Sequence, residues 1–122
     1  MGLGGSCLCE PAVADYFASR DDWDFATLEL GVNMAGSVAP EEFRRRAEYL
    51  VGTLRRKHPD KLLVLITSFP FAQDLRFSRE PNMVGEQQQA YDAILREITS
   101  RDTSGRLRLV EGHEVLTDFS GL

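Results

Sequence analysis

Long apolar runs are missing from this 122-residue chain. None approaches the roughly 20 residues a membrane-spanning helix needs, so no membrane segment is expected. A positive charge excess is missing as well. Lys and Arg number 14 against 19 Asp and Glu, a formal net charge of -5, which argues against a nucleic-acid surface. The opening residues, Met1 to Ser6, hold neither a basic segment nor an apolar core and do not read as a secretory signal. Cysteine is scarce: Cys7 and Cys9 stand one residue apart. That spacing suits a disulfide poorly, and two thiols do not fill a tetrahedral metal site. The expectation is a pair of reduced thiols in a cytoplasmic protein, with no metal and no other cofactor. Internal repeats and low-complexity stretches are absent too.

What remains is the composition of an ordinary globular domain, 43% hydrophobic and 27% charged, with room for one core rather than two. Residues 2–9 form a Gly-rich loop. Glu10 and Pro11 open a helix, since Pro costs nothing at a first-turn position, and Val13, Tyr16 and Phe17 share its apolar face. A strand is expected over 25–30. Pro40 starts the next helix, with Glu41 and Glu42 favoured by its dipole and Phe43, Ala47, Leu50, Val51 and Leu54 as its buried stripe. Arg55, Arg56, Lys57 and His58 read as a solvated helix end. Leu62 to Thr67 is the strongest strand, apolar at nearly every position, so both of its faces are expected to be covered. Residues 68–84 form a long loop whose Phe69, Phe71 and Phe77 could line a pocket or pack as a lid. Residues 85–101 have a helical pattern, 107–110 a third strand, and 111–118 one further turn of helix.

Strands that alternate with helices predict a parallel sheet with right-handed crossovers. The three strands are expected side by side in chain order, with helices on both faces. In such sheets working groups lie just beyond the carboxyl ends of strands. Asn33 stands there, two residues after Gly31, which closes the first strand. Asn33 has two readings, a turn residue that tolerates left-handed backbone or a group that works on a ligand.

Three features resemble the SGNH (GDSL-like) hydrolase family, most closely its bacterial branch of small esterases. Gly2-Leu3-Gly4-Gly5-Ser6-Cys7-Leu8-Cys9-Glu10 is similar to the family's second block, a Gly-rich loop leading into a helix. Gly31-Val32-Asn33-Met34 resembles the third block, Gly-x-Asn-Asp, with Met34 where Asp is usual. The element order agrees with the family's three-layer α/β/α, flavodoxin-like fold. The resemblance implies a Ser nucleophile, a His oriented by an Asp, and an oxyanion held partly by Gly5 (or Gly4) through its backbone N–H and by Asn33 through its amide. It implies a small-molecule ester as substrate.

The family's first block, Gly-Asp-Ser, and its last, Asp-x-x-His, have no counterpart in the chain, so no nucleophile and no Asp-His pair carries over. His113 precedes Asp118, the wrong order, and reads as a surface or helix-start residue. The chain therefore reads as the middle of a family domain. A second reading keeps the scaffold as a non-catalytic binding module. A third puts chemistry on Cys7 or Cys9.

Overall fold

The computed structural model describes residues 7–70 and 83–117. Gly4, Gly5, Ser6, Phe71, Phe77 and Asp118 fall outside the described residues. The elements are α1 (Pro11–Ala18), β1 (Phe25–Glu29), α2 (Pro40–Lys57), β2 (Leu62–Ile66), α3 (Met83–Ser100), β3 (Leu107–Val110) and the single turn α4 (Gly112–Val115).

The three strands form one parallel sheet in the order β1-β2-β3, as the alternation of strand and helix predicts. β1 pairs with β2 from Phe25 opposite Leu62 to Glu29 opposite Ile66. β2 pairs with β3 from Leu63 opposite Leu107 to Ile66 opposite Val110. Partners in a parallel ladder point to the same face, so this register sorts the side chains. Ala26, Leu28, Leu63, Leu65, Leu107 and Leu109 share one face. Phe25, Thr27, Leu62, Val64, Ile66 and Arg108 share the other.

The two faces are unlike. Leu63 and Leu65 are buried in one core with Ala14 and Ala18 of α1, Phe43 to Leu54 of α2 and Tyr91 to Ile98 of α3. A right-handed crossover from β1 to β2, followed by another from β2 to β3 in the same direction, puts α2 and α3 on the same side. On the other face Leu62, Val64 and Ile66 are only half-buried and Phe25 is 62% exposed. The expected cover of helices on both faces is thus corrected among the described residues: α1, α2 and α3 make one layer on one face.

Within that layer the apolar stripe of α2 buries the residues its spacing marks. Phe43 stacks on Tyr91 of α3 with ring centroids 4.1 Å apart, worth about 1 kcal/mol beyond the area buried. α1 departs from expectation. Its buried residues are Ala14 and Ala18, while Tyr16 is 48% exposed and lies under the Arg20 guanidinium. Small alanines let α1 approach α2 closely, and a tyrosine at the contact would hold the two helices apart.

His58 is corrected too. It is 7% exposed, not solvated. Its Nε2 donates to Ala18 O at 2.9 Å, and Trp23 packs edge-on with centroids 4.7 Å apart. Lys61 Nζ lies 4.3 Å from the centre of the Trp23 ring. The group closes the amino end of the sheet, where α1 and α2 finish and β1 and β2 begin.

Candidate functional site at the carboxyl end of the sheet

Each helix runs back against its strands, so the helix starts and the strand ends meet at the carboxyl edge. The turn after β1 is made by the chain itself. Met34 N donates to Gly31 O at 2.9 Å, Ala35 N to Gly31 O at 3.0 Å and Val38 N to Met34 O at 2.9 Å. Gly31 has φ +125°, and a Cβ there would lie 3.1 Å from Tyr91 Cδ2. Both the backbone angle and the ring require glycine. Tyr91 OH donates to Val38 O at 2.5 Å, with Met34 O 3.2 Å away as a second acceptor for the same proton, and Gly36 N donates to Gln87 Oε1 at 2.5 Å. Burial pushes the Tyr91 hydroxyl above the usual phenol range.

This frame explains residue 34. Met34 is 0% exposed and belongs to the core, so an apolar side chain anchors the turn from below while Tyr91 holds its carbonyl. Asn33, one position earlier, is half-buried. Its amide has no hydrogen-bond partner among the described residues, while the backbone around it is pinned. Asn33 therefore lies at the expected place. Gly5, its expected companion, lies outside the described residues.

The loop after β2 brings in residues that periodicity alone passes over. Asp92 is 5% exposed, yet it faces the core side of α3. Its Oδ1 accepts from Ser68 N at 2.9 Å and from Ser68 Oγ at 3.0 Å. One turn earlier, Gln88 is buried, and its Oε1 is the one buried side-chain polar atom left unpaired among the described residues. Glu29, the last residue of β1, has its carboxyl pushed up, first by desolvation and then by the charge of Asp92. The sequence signal was available: Gln88 and Asp92 interrupt an apolar helical stripe at i, i+4 spacing.

After β3 the chain is clamped to the loop from β2. Thr67 Oγ1 donates to Glu111 Oε2 at 2.9 Å and accepts from Gly112 N at 2.9 Å. Arg96 grips the same carboxylate at 2.7 and 2.8 Å, which holds Glu111 below the usual carboxylate range. A Cβ on Gly112 would fall 2.4 Å from both Thr67 O and Ser68 O. His113, next in α4, is exposed. Among the described residues, no serine hydroxyl is hydrogen-bonded to a histidine. Nor do three His, Cys, Asp or Glu side chains there gather to hold a metal ion. Phe69 is half-buried beside Ser68.

The arrangement offers neutral donors and buried acids at the edge of a parallel sheet, and proteins of known structure share its frame. A protein from Bacteroides ovatus described as a GDSL-like lipase superposes with a TM-score of 0.72 at 24% identity, covering 96% of this chain and 33% of its own. The salicylyl-acyltransferase SsfX3 from a tetracycline biosynthetic pathway superposes with a TM-score of 0.62 at 15% identity, covering 88% of this chain and 29% of its own. The fold of this chain is therefore shared with part of each of these two proteins. The chain spans about a third of the length of either structure. No protein-family model and no curated protein sequence matches it. Among the described residues, no helix is long and apolar enough to cross a membrane.

Proposed function

We propose that the chain belongs to a serine ester hydrolase of the SGNH (GDSL-like) type acting on small-molecule esters in the cytoplasm. Asn33 donates its side-chain amide, and Gly5 its backbone N–H, to the oxyanion that forms as the ester carbonyl is attacked. The observation that carries this reading is the Asn33 amide: held on a pinned turn beyond a parallel strand, half-buried, and without a partner among the described residues. A neutral donor set in advance costs no reorganisation when charge develops, and losing one such donor lowers the rate by about 100- to 1000-fold. Neither the nucleophile nor the acid-base pair is assigned to a described residue.

The test is turnover of chromogenic short-chain esters by the intact gene product and by its Asn33→Ala variant. The expected result is a fall in kcat of about 100- to 1000-fold with KM little changed, because the contact strengthens only in the transition state. Ester turnover untouched by Asn33→Ala would remove the oxyanion role. No turnover of any ester would favour a non-catalytic binding module on the same scaffold.

A further inference from the structure

Where α1 and α2 finish, at the amino end of the sheet, a cavity of about 450 Å³ lies between them, within the size range of small-molecule sites. Asp15 and Asp21 line it from the α1 side, and Thr53, Lys57 and His58 from the α2 side. The inner wall is fixed. Thr53 is buried, and its Oγ1 accepts from Arg56 Nη2 at 2.9 Å. The His58 side chain is 6% exposed. Its backbone N–H closes α2 on Leu54 O at 2.8 Å, and its Nε2 lies 2.9 Å from Ala18 O. That bond puts the proton of the neutral ring on Nε2 and leaves a lone pair on Nδ1. Nδ1 faces Asp21 Oδ1 at 3.7 Å. Two acceptors thus look at each other with no donor between them, close enough for one ammonium nitrogen to reach both. Asp15 uses its Oδ1 to accept from Tyr49 OH at 2.9 Å, and its Oδ2 takes no hydrogen bond among the described residues. Lys57, across the cavity, has neither an ion pair nor a hydrogen bond among the described residues.

We infer that this cavity binds a small zwitterion, its ammonium held by Asp15, Asp21 and His58 Nδ1 and its carboxylate by Lys57.

The chemistry of the walls selects this class over the others. A plain cation would suit the two acids but would face the Lys57 ammonium. A plain anion would suit Lys57 but would face two carboxylates and a lone pair. A metal ion needs ligands gathered around one point, and among the described residues no three His, Cys, Asp or Glu side chains gather so. A molecule with a charge at each end answers both walls. Its ammonium has further support, since both helices turn their C-terminal ends, the negative poles of their dipoles, toward this edge. Hydrogen bonds in which donor and acceptor are both charged are the strong ones. The Nδ1 lone pair lets the ammonium donate inward as well as to the acids at the rim. Asn33 stands beyond the opposite end of the sheet, so a ligand here does not compete with an ester there.

The test is calorimetric titration of the intact protein with β-alanine, γ-aminobutyrate and ε-aminocaproate, which space the two charges progressively further apart. Butylamine and butyrate, each with one of the charges, are the controls. At least one zwitterion should bind saturably and about tenfold or more tighter than either control, the worth of one charged hydrogen bond. Asp21 and Lys57 are exposed, so Asp21→Asn and Lys57→Gln leave the fold intact, as their unfolding curves should confirm. Lys57→Gln should weaken the zwitterion about tenfold and leave butylamine no weaker. Asp21→Asn should weaken the zwitterion and butylamine together. No saturable binding of any of the three zwitterions up to about 10 mM would overturn the inference. So would butylamine binding as tightly as the best zwitterion, or zwitterion binding that survives both substitutions. None of these outcomes depends on whether the protein turns over esters.

Discussion

At the amino end of the sheet His58, Trp23, Lys61 and Arg55 each donate to a backbone carbonyl. At the carboxyl end Asn33 and Gln88 keep polar atoms without a partner among the described residues. The amino-end bonds are short and specific: His58 Nε2 to Ala18 O at 2.9 Å, Trp23 Nε1 to Arg20 O at 2.8 Å, Lys61 Nζ to Asp21 O at 3.0 Å and Arg55 Nη1 to Lys61 O at 2.9 Å. Arg55 also reaches Pro59 O and Ser104 Oγ, joining the loops before β2 and β3. At the other end Tyr91, Gln87, Asp92 and Thr67 hold the backbone just as firmly, but Asn33 and Gln88 are not consumed in holding it. Buried polar groups are nearly always paired, and the exceptions call for a reason. A rigid backbone presenting open polar groups is what binding or catalysis needs, whereas a rigid backbone with every group paired is what stability needs.

Substitutions that affect one property and spare the other sharpen this contrast. The largest effect expected is on rate. Asn33→Ala should raise the barrier to ester turnover by about 3–4 kcal/mol while thermal unfolding shifts by no more than about 0.5 kcal/mol, as for a half-buried side chain with no hydrogen-bond partner to lose. Next comes Gly112→Ala. The added methyl meets two backbone carbonyl oxygens at 2.4 Å, and neither can rotate away, so a loss of about 3 kcal/mol in denaturant unfolding is expected. A stability loss under about 1 kcal/mol there would mean that the strap between β2 and β3 yields to the added methyl. Smaller again, His58→Ala strips the partner from Ala18 O and the edge contact from Trp23. It should cost about 2 kcal/mol of stability and leave ester turnover unchanged, the reverse of Asn33→Ala. A rate loss in His58→Ala at full folding would erase the distinction between the ends.

How far the chain could be read in advance follows the same division. The strands and helices were legible because apolar spacing is a local property: β3 matches residue for residue, and β1 and β2 each end one residue early. The position of Asn33 was legible because it follows a strand end. The face of α1 was not, since Val13, Tyr16 and Phe17 look like a better stripe than Ala14 and Ala18 until α2 is placed against them. His58 looked like one more cation at a helix end. Its burial depends on Trp23, 35 positions away in a chain whose pairing was unknown. The acids and amides at the carboxyl end are the reverse case: Gln88 and Asp92 break the buried stripe of α3, a signal that the helical reading of 85–101 passed over, and their meaning needed Ser68 opposite. Met34 was read as a departure from the Gly-x-Asn-Asp pattern. In the fold it is a core residue, and Tyr91 supplies the hydrogen bonds that steady its turn.

The smallest effects expected compare two glutamates at the carboxyl end whose proton affinities are displaced in opposite directions. Glu111 is held below the ordinary range by Arg96. The folded state binds its proton less tightly than the unfolded state does, so its contribution to stability is complete above the ordinary glutamate range and is lost as pH falls through the depressed value. Glu29 is pushed up by desolvation and by Asp92. The folded state binds its proton more tightly, so its charge opposes folding above the raised value, and that opposition fades as pH falls toward the ordinary range. Glu111→Gln should therefore lower stability at neutral pH, and Glu29→Gln should raise it. Both differences should shrink in acid as the wild-type carboxyls take up protons themselves. Urea unfolding of the two variants and wild type across pH 3 to 8, on the order of the carboxylate range, reads both signs at once. If Glu29→Gln destabilises at neutral pH, then Glu29 is a paired structural carboxylate like Glu111, and the carboxyl end holds its acids by pairing them, as the amino end holds its cations.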